Sequence, residues 1–219
     1  MNRLSQTAIF AHMNTGEAAT KPLAKRYHLG GIPTVVVIAP QGQEVDRIIG
    51  YDDDRSAWLK TLLASLYGID TIQDFQERYE AKPGSAMAHD LARKYLDRGD
   101  GASALAWVDK ARAFKPDSGT GNKLTLIQGQ AWLITDPANG AEALMGLATT
   151  PDNALGIEAF QALSAHYKRQ ARNATDPDEK KKAKASRLDV FHKVVAARPA
   201  EPDVLSEYAC YCAAEGIEL

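Results

Sequence analysis

The chain has 219 residues, of which 45% are hydrophobic and 25% are charged, and this composition is close to the average of globular proteins. Its formal net charge of −2 gives no electrostatic case for binding to nucleic acid or to an anionic membrane. No apolar stretch approaches the roughly 18–20 residues of a membrane span, so we expect no membrane-spanning helix and no nucleic-acid partner.

The first 68 residues mix strand and helix signals. A short apolar run at 8–12 predicts a strand, and apolar residues at helical spacing between 16 and 27 predict a helix. The β-branched run at 35–38 predicts a strand that is covered on both faces. After a Pro-Gln-Gly turn, the alternating residues 44–49 predict the second strand of a hairpin.

An acidic run, 52–54, precedes the apolar helix face that ends before Gly68. Three carboxylates are compatible with a divalent cation, but a helix cap with favourable charge at the helix N-terminus explains them more simply. We therefore expect a capped helix after residue 54.

Beyond Gly68 the sequence predicts only helices, and their apolar pattern repeats. The first copy has small and large apolar residues in two successive helices and a terminal proline: Ala88, Leu91, Ala92, Tyr95, Ala104, Val108, Ala111 and Pro116. A looser copy covers 129–148, and a third begins at Phe160 and ends at Pro199. A fourth begins at Leu205 and lacks its second helix, which would leave the apolar face of Leu205, Tyr208, Ala209 and Cys212 uncovered on one side.

This template of small and large positions resembles the tetratricopeptide (TPR) repeat, although its usual first tryptophan is missing. The resemblance implies stacked helix pairs, with the first helix of each pair lining a concave surface that binds a protein or peptide partner. Polar candidates on that surface are His89, Arg93, Gln130 and His166.

The segment from Ala8 to Leu66 resembles the C-terminal part of a thioredoxin-like domain. The resemblance rests on Leu-Gly-Gly-Ile-Pro-Thr at 29–34 before an apolar strand, followed by the hairpin, Gly50 and an amphipathic helix. It implies that Pro33 is cis and that the backbone of Ile32 pairs with a bound peptide substrate. The Cys-x-x-Cys of that family has no counterpart among these residues.

These patterns predict an α+β fold: a partial thioredoxin-like α/β domain at 1–68, then an all-α domain of TPR-like repeats at 69–219, with the last repeat truncated. We expect a protein-interaction module joined to a redox-inactive thioredoxin-like remnant. The alternative is a piece of a thiol–disulfide oxidoreductase whose Cys-x-x-Cys lies upstream. Because the chain starts inside one domain and ends inside a repeat, we interpret it as a fragment of a longer protein, or as a reading frame with a misplaced start.

The remaining motifs favour structural roles. Cys210 and Cys212 are two residues apart on a predicted helix and so point to different faces, which indicates separate core or surface thiols. The basic run at 179–184 follows Asp176 and Pro177, a helix cap and first-turn residue, and indicates a solvated helix start. We expect no metal, no cofactor and no catalytic residue here. The N-terminus lacks a signal-peptide pattern; the thioredoxin resemblance is compatible with a bacterial extracytoplasmic parent, and no residue identifies the compartment.

Overall fold

A computed structural model describes residues 9, 11–14, 16–29, 33–50 and 54–217. Within these ranges a short helix and a β-hairpin precede a series of helices. The elements are α1 Lys21–Arg26, β1 Thr34–Ile38, β2 Glu44–Ile49, α2 Arg55–Leu66, α3 Ile72–Ala81, α4 Ser85–Asp97, α5 Gly101–Ala113, α6 Ser118–Thr135, α7 Pro137–Thr149, α8 Gly156–Asn173, α9 Pro177–Ala197 and α10 Pro202–Glu215. The described chain is therefore mostly helical with one small antiparallel sheet, in agreement with an α+β class.

The predicted hairpin is confirmed. Strands β1 and β2 pair in antiparallel register, with Val36 opposite Arg47. The turn between them places Gly42 at φ +82°, a conformation that glycine adopts without a steric penalty. The expectation that β1 is covered on both faces is wrong. Its residues are only half-buried, and Ile38 is 45% exposed, because the described part of the sheet has only these two strands.

The strand predicted at 8–12 is absent from the described part of that segment. Ile9, Ala11 and His12 belong to no strand, and Ile9 is fully exposed, so its apolar side chain has no packing partner there. Ala8 and Phe10 lie outside the described residues. Helix α1 is also shorter than the apolar spacing between 16 and 27 predicts.

Polar side chains cap many of the helices, as the sequence predicts for two of them. Asp54 accepts hydrogen bonds from the backbone of Ser56 and Ala57 at the start of α2. Asp176 accepts one from Asp178 N at the start of α9, where Pro177 is the first helical residue. Such caps satisfy N–H groups that have no partner inside the helix.

The helices after α3 form three adjacent pairs joined by short loops: α4 with α5, α6 with α7, and α8 with α9. Small residues lie in the contacts within these pairs. A Cβ built on Gly140 of α7 would lie 2.5 Å from the backbone N of Leu133 in α6. In the first pair, Ala88, Ala92 and Ala104 are fully buried.

The helical core consists of two apolar clusters that meet at α6. Leu124 and Ile127 pack with the α3–α5 side, whereas Leu126 packs with α7–α10. Helix α3 joins the first cluster through Ile72, and the edge of Tyr79 contacts Trp107 at a ring-centroid distance of 5.0 Å. The core is thus shared between neighbouring helix pairs, as in a stacked arrangement.

Helix α10 is better covered than the sequence predicts. Tyr208 stacks on Phe191 of α9 with ring centroids 5.3 Å apart, and Cys212 is 1% exposed. Only Leu205, 39% exposed, fits the expected uncovered face. The expectation fails because α9 extends to Ala197 and its aromatic side chain reaches α10. None of the helices in the described ranges combines the length and the apolar character needed to cross a membrane.

Candidate functional site

Two of the four predicted partner-binding residues lie one turn apart on α4. His89 is partly exposed, and its Nδ1 lies 3.1 Å from Asp90 Oδ1. Arg93 is 46% exposed and its Nε lies 3.3 Å from Asp97 Oδ1. Residues four apart share a helix face, so α4 presents an imidazole and a guanidinium side by side.

Arg93 also links the first and third helix pairs. Its Nη1 donates to Glu158 Oε1 in the first turn of α8 at 3.3 Å. Helix α6 contacts both α4 and α8. The first helices of the three pairs therefore occupy one side of the stack, and a charged side chain spans it.

Gln130 of α6 has an amide oxygen buried from solvent, with no hydrogen-bond partner among the residues that the structure describes. A buried acceptor without a partner costs about 1–3 kcal/mol. The unmet group is an acceptor, so only a hydrogen-bond donor that reaches this buried oxygen can satisfy it.

His166 lies on α8, where it is partly buried and its ring edge contacts Tyr167 at a centroid distance of 5.2 Å. Burial, together with the nearby positive charge of Arg169, lowers the pKa of His166 from its usual 6.5. The ring is therefore neutral at pH 7, with one nitrogen that donates and one that accepts.

The structure brings these four residues onto the first helices of three successive pairs, but not into one cluster. His89 and Arg93 are neighbours. Within the described ranges, neither Gln130 nor His166 has a hydrogen bond or ion pair to them. The arrangement is an extended surface with separate polar groups, which suits a long ligand better than a compact one.

Of the two residues predicted from the thioredoxin resemblance, the structure describes Pro33 only. Pro33 is exposed immediately before β1, and its carbonyl accepts a hydrogen bond from Gly50 N at 2.8 Å. Ile32 and the bond between it and Pro33 lie outside the described residues, so the cis bond stays a prediction. The cysteines follow the sequence interpretation: Cys210 is exposed and Cys212 is buried.

A buried ion pair that the sequence does not predict lies where the hairpin meets α4. Asp46 of β2 is 1% exposed, and both its carboxylate oxygens lie 2.8 Å from Lys94 Nζ of α4. Ser65 of α2 donates to the same carboxylate at 2.7 Å. No local signal marks Asp46 as buried, because Glu44 and Arg47 of the same strand are also charged. A buried carboxylate needs a partner, and Lys94 supplies it from a distant part of the chain.

A second set of charged contacts reinforces this junction. The Arg47 guanidinium donates to Glu44 at 2.6 Å and to the carbonyl oxygens of Tyr27 and Asp97. Arg98 of α4 donates to the carbonyl of Val45 at 2.7 Å. These bonds hold β2 against α4. They occupy the donors of both arginines, and we assign the junction a structural role.

No protein-family model, no curated protein and no solved structure matches this chain. Across the described residues, no three His, Cys, Asp or Glu side chains are grouped so as to hold a metal ion. What the chain does must therefore be argued from its own geometry.

Proposed function

We propose that the chain is a protein-interaction module whose TPR-like helix pairs bind an extended peptide of a partner protein along α4, α6 and α8. The observation that carries this proposal is the shared face of these three helices, which Arg93 spans by pairing with Glu158. In stacked helical repeats such a face is the usual ligand surface. The thioredoxin-like hairpin is, in this proposal, a remnant that does no redox chemistry.

The chemistry of the face suits a peptide backbone. Gln130 has an amide oxygen without a partner, which can accept a hydrogen bond from a peptide N–H, and the neutral His166 ring offers one donor and one acceptor. Arg93 keeps about half of its side chain exposed, so it can contact a ligand carboxylate or carbonyl. Arginine is enriched among the residues that dominate interface energies.

The experiment is to select peptides from a random library on the full chain and to measure their affinity by calorimetry. Gln130→Leu is the decisive variant. It should weaken peptide binding at least about fivefold, since a loss above 1 kcal/mol marks an important interface residue. It should not destabilise the free chain, because the lost oxygen is without a partner.

Lys182→Ala supplies the control. Lys182 is an exposed cation on α9, the second helix of its pair, so its removal should leave the affinity unchanged. The proposal is wrong if the library yields no binder, or if Gln130→Leu and Lys182→Ala have equal effects on every selected peptide.

A second candidate function rests on the thioredoxin resemblance of the segment from Ala8 to Leu66, in which Pro33 is exposed immediately before β1. We propose, as the alternative, that this chain is part of a thiol–disulfide oxidoreductase whose Cys-x-x-Cys lies upstream. The coding sequence before Met1 tests it directly. In that case an extended chain carrying the dithiol should reduce insulin, and Pro33→Ala should impair that activity; an upstream sequence without Cys-x-x-Cys rules this alternative out.

A further inference from the structure

A cleft of about 540 Å³ lies between the C-terminal half of α8, the N-terminal half of α9 and helix α10. We call it the α8–α10 cleft. It is distinct from the residues assigned above to peptide binding. Five cationic side chains and two carboxylates contribute to its lining: Lys168, Arg172, Lys180, Lys184, Arg187, Glu207 and Glu215.

Helix α10 already neutralises two of the five cations. Lys184 forms an ion pair with Glu215, and Arg187 Nη2 lies 3.1 Å from Glu207 Oε1. Arg187 Nε also donates to Ser164 Oγ at 2.9 Å, so this side chain is fixed in place. Glutamate side chains of α10 therefore already pair with one lysine and one arginine of the cleft.

The other three cations have no such counterpart. Lys168 and Arg172 of α8 and Lys180 of α9 form no ion pair with any residue of the described ranges. Lys168 and Arg172 are four residues apart, as are Lys180 and Lys184, and like charges at this spacing disfavour a helix. Local rules of this kind are commonly broken at binding sites, where a ligand compensates the charge.

We propose that the α8–α10 cleft binds an acidic peptide segment of a partner protein, whose carboxylates pair with Lys168, Arg172 and Lys180. Charge complementarity supports this occupant, because the lining has three more cations than carboxylates. A nucleic acid fits less well. The only aromatic ring in the lining, Tyr211, is buried, and its hydroxyl donates to the carbonyl of Lys184, so no aromatic face is open for base stacking.

The test uses calorimetry with an amidated hexaglutamate peptide as the probe and a hexaglutamine peptide as its neutral control. Hexaglutamate should bind to the full chain and hexaglutamine should not. Lys180→Glu should weaken the binding about fivefold or more, as expected for reversing a charge that forms an exposed ion pair. Lys181→Glu is the matched control, because Lys181 is adjacent and exposed but does not line the cleft.

Cys210 gives a second readout that locates the ligand. It lines the cleft and is exposed, whereas Cys212, the other cysteine of the chain, is buried. Bound hexaglutamate should slow alkylation of Cys210 by neutral iodoacetamide, as followed by peptide mass spectrometry. At a hexaglutamate concentration near the Kd of the parent chain, Lys180→Glu should reduce that protection, whereas Lys181→Glu should leave it unchanged.

Three results would overturn the inference: no hexaglutamate binding, equal loss in Lys180→Glu and Lys181→Glu, or an unprotected Cys210 in the saturated complex. Tighter binding of a single-stranded oligonucleotide than of hexaglutamate, with the same dependence on Lys180, would assign the cleft to nucleic acid instead. None of these outcomes bears on peptide binding along α4, α6 and α8, because Gln130 does not line the cleft.

Discussion

Lys94→Met should strongly destabilise the junction between the hairpin and helix α4. The substitution removes the ammonium group that lies 2.8 Å from both oxygens of the Asp46 carboxylate and keeps an unbranched side chain out to Cε. Asp46 is 1% exposed, so water cannot replace the lost partner. Only the hydroxyl of Ser65 remains to hydrogen-bond the carboxylate within the described residues.

The expected loss is about 3 kcal/mol in the free energy of unfolding of this junction. Breaking a buried ion pair by removing one partner typically costs about 3–5 kcal/mol. The lower end applies because the Lys94 side chain is 21% exposed, so only the Asp46 side of the ion pair is fully buried. The double variant Asp46→Val/Lys94→Met should lie within about 1 kcal/mol of the parent, since an apolar pair of similar volume often replaces a buried ion pair at little cost. Ser65 can then keep its 3.1 Å bond to the Thr61 carbonyl.

Urea unfolding at pH 7 measures the global effect, and hydrogen exchange of the β2 amides measures local opening of the hairpin. Lys181→Met, an exposed substitution, is the control and should change stability by less than about 0.5 kcal/mol. If Lys94→Met has as small an effect as Lys181→Met in both measurements, the Asp46 pair does not hold the hairpin to α4.

Three further predictions concern packing and pH. Gly140→Ala should lower the free energy of unfolding, measured in urea, by about 1–3 kcal/mol, because the new Cβ would lie 2.5 Å from Leu133 N. Gly146→Ala is the control on the same helix; its Cβ would enter open space, so it should stabilise the chain by up to about 1 kcal/mol. If both variants changed stability in the same direction, the close approach of α6 and α7 would be refuted. Burial lowers the pKa of His166, so the folded state binds this proton less tightly than the unfolded state and stability falls as the pH drops below about 6.5. His166→Gln should flatten that part of the curve of stability against pH. An unchanged slope would contradict the burial of a neutral His166. Burial raises the pKa of Asp97, so the folded state holds this proton more tightly than the unfolded state and stability falls as the pH rises above about 3.9. The stability of Asp97→Asn relative to the parent should therefore rise by less than about 1 kcal/mol between pH 4 and pH 7. Thermal melts in which the variant and the parent have the same pH dependence would contradict this.

The helices and the hairpin could be predicted because their signals are local. A β-branched run specifies β1, a glycine turn and the alternating residues 44–49 specify β2, and the spacing of small apolar residues specifies the helix pairs. Asp54 and Asp176 mark helix starts through their own side-chain chemistry. The prediction of a strand at 8–12 is wrong for Ile9, Ala11 and His12, the residues of that run that the structure describes. A five-residue apolar run carries no information about whether a neighbouring strand is available to pair with it.

The interactions between distant elements could not be predicted. Asp46 and Lys94 are 48 residues apart, and Arg93 and Glu158 are 65 apart, so each pairing depends on how the elements pack. The α8–α10 cleft is of the same kind, because α8, α9 and α10 each contribute only part of its charge. The periodicity of one sequence predicts which face of a helix or strand a residue occupies, but it does not predict which distant residue that side chain contacts.

Site-specific photocross-linking tests most directly whether α4, α6 and α8 form the peptide-binding face. His89→benzoylphenylalanine places the photoreactive group on α4 beside Arg93, and Lys182→benzoylphenylalanine places the same group on the exposed side of α9. With a library-selected peptide at saturation, irradiation should cross-link the peptide at position 89 and leave position 182 unmodified. Cross-linking at position 182 with none at position 89 would contradict the account, because it would place the peptide on the second helices of the pairs.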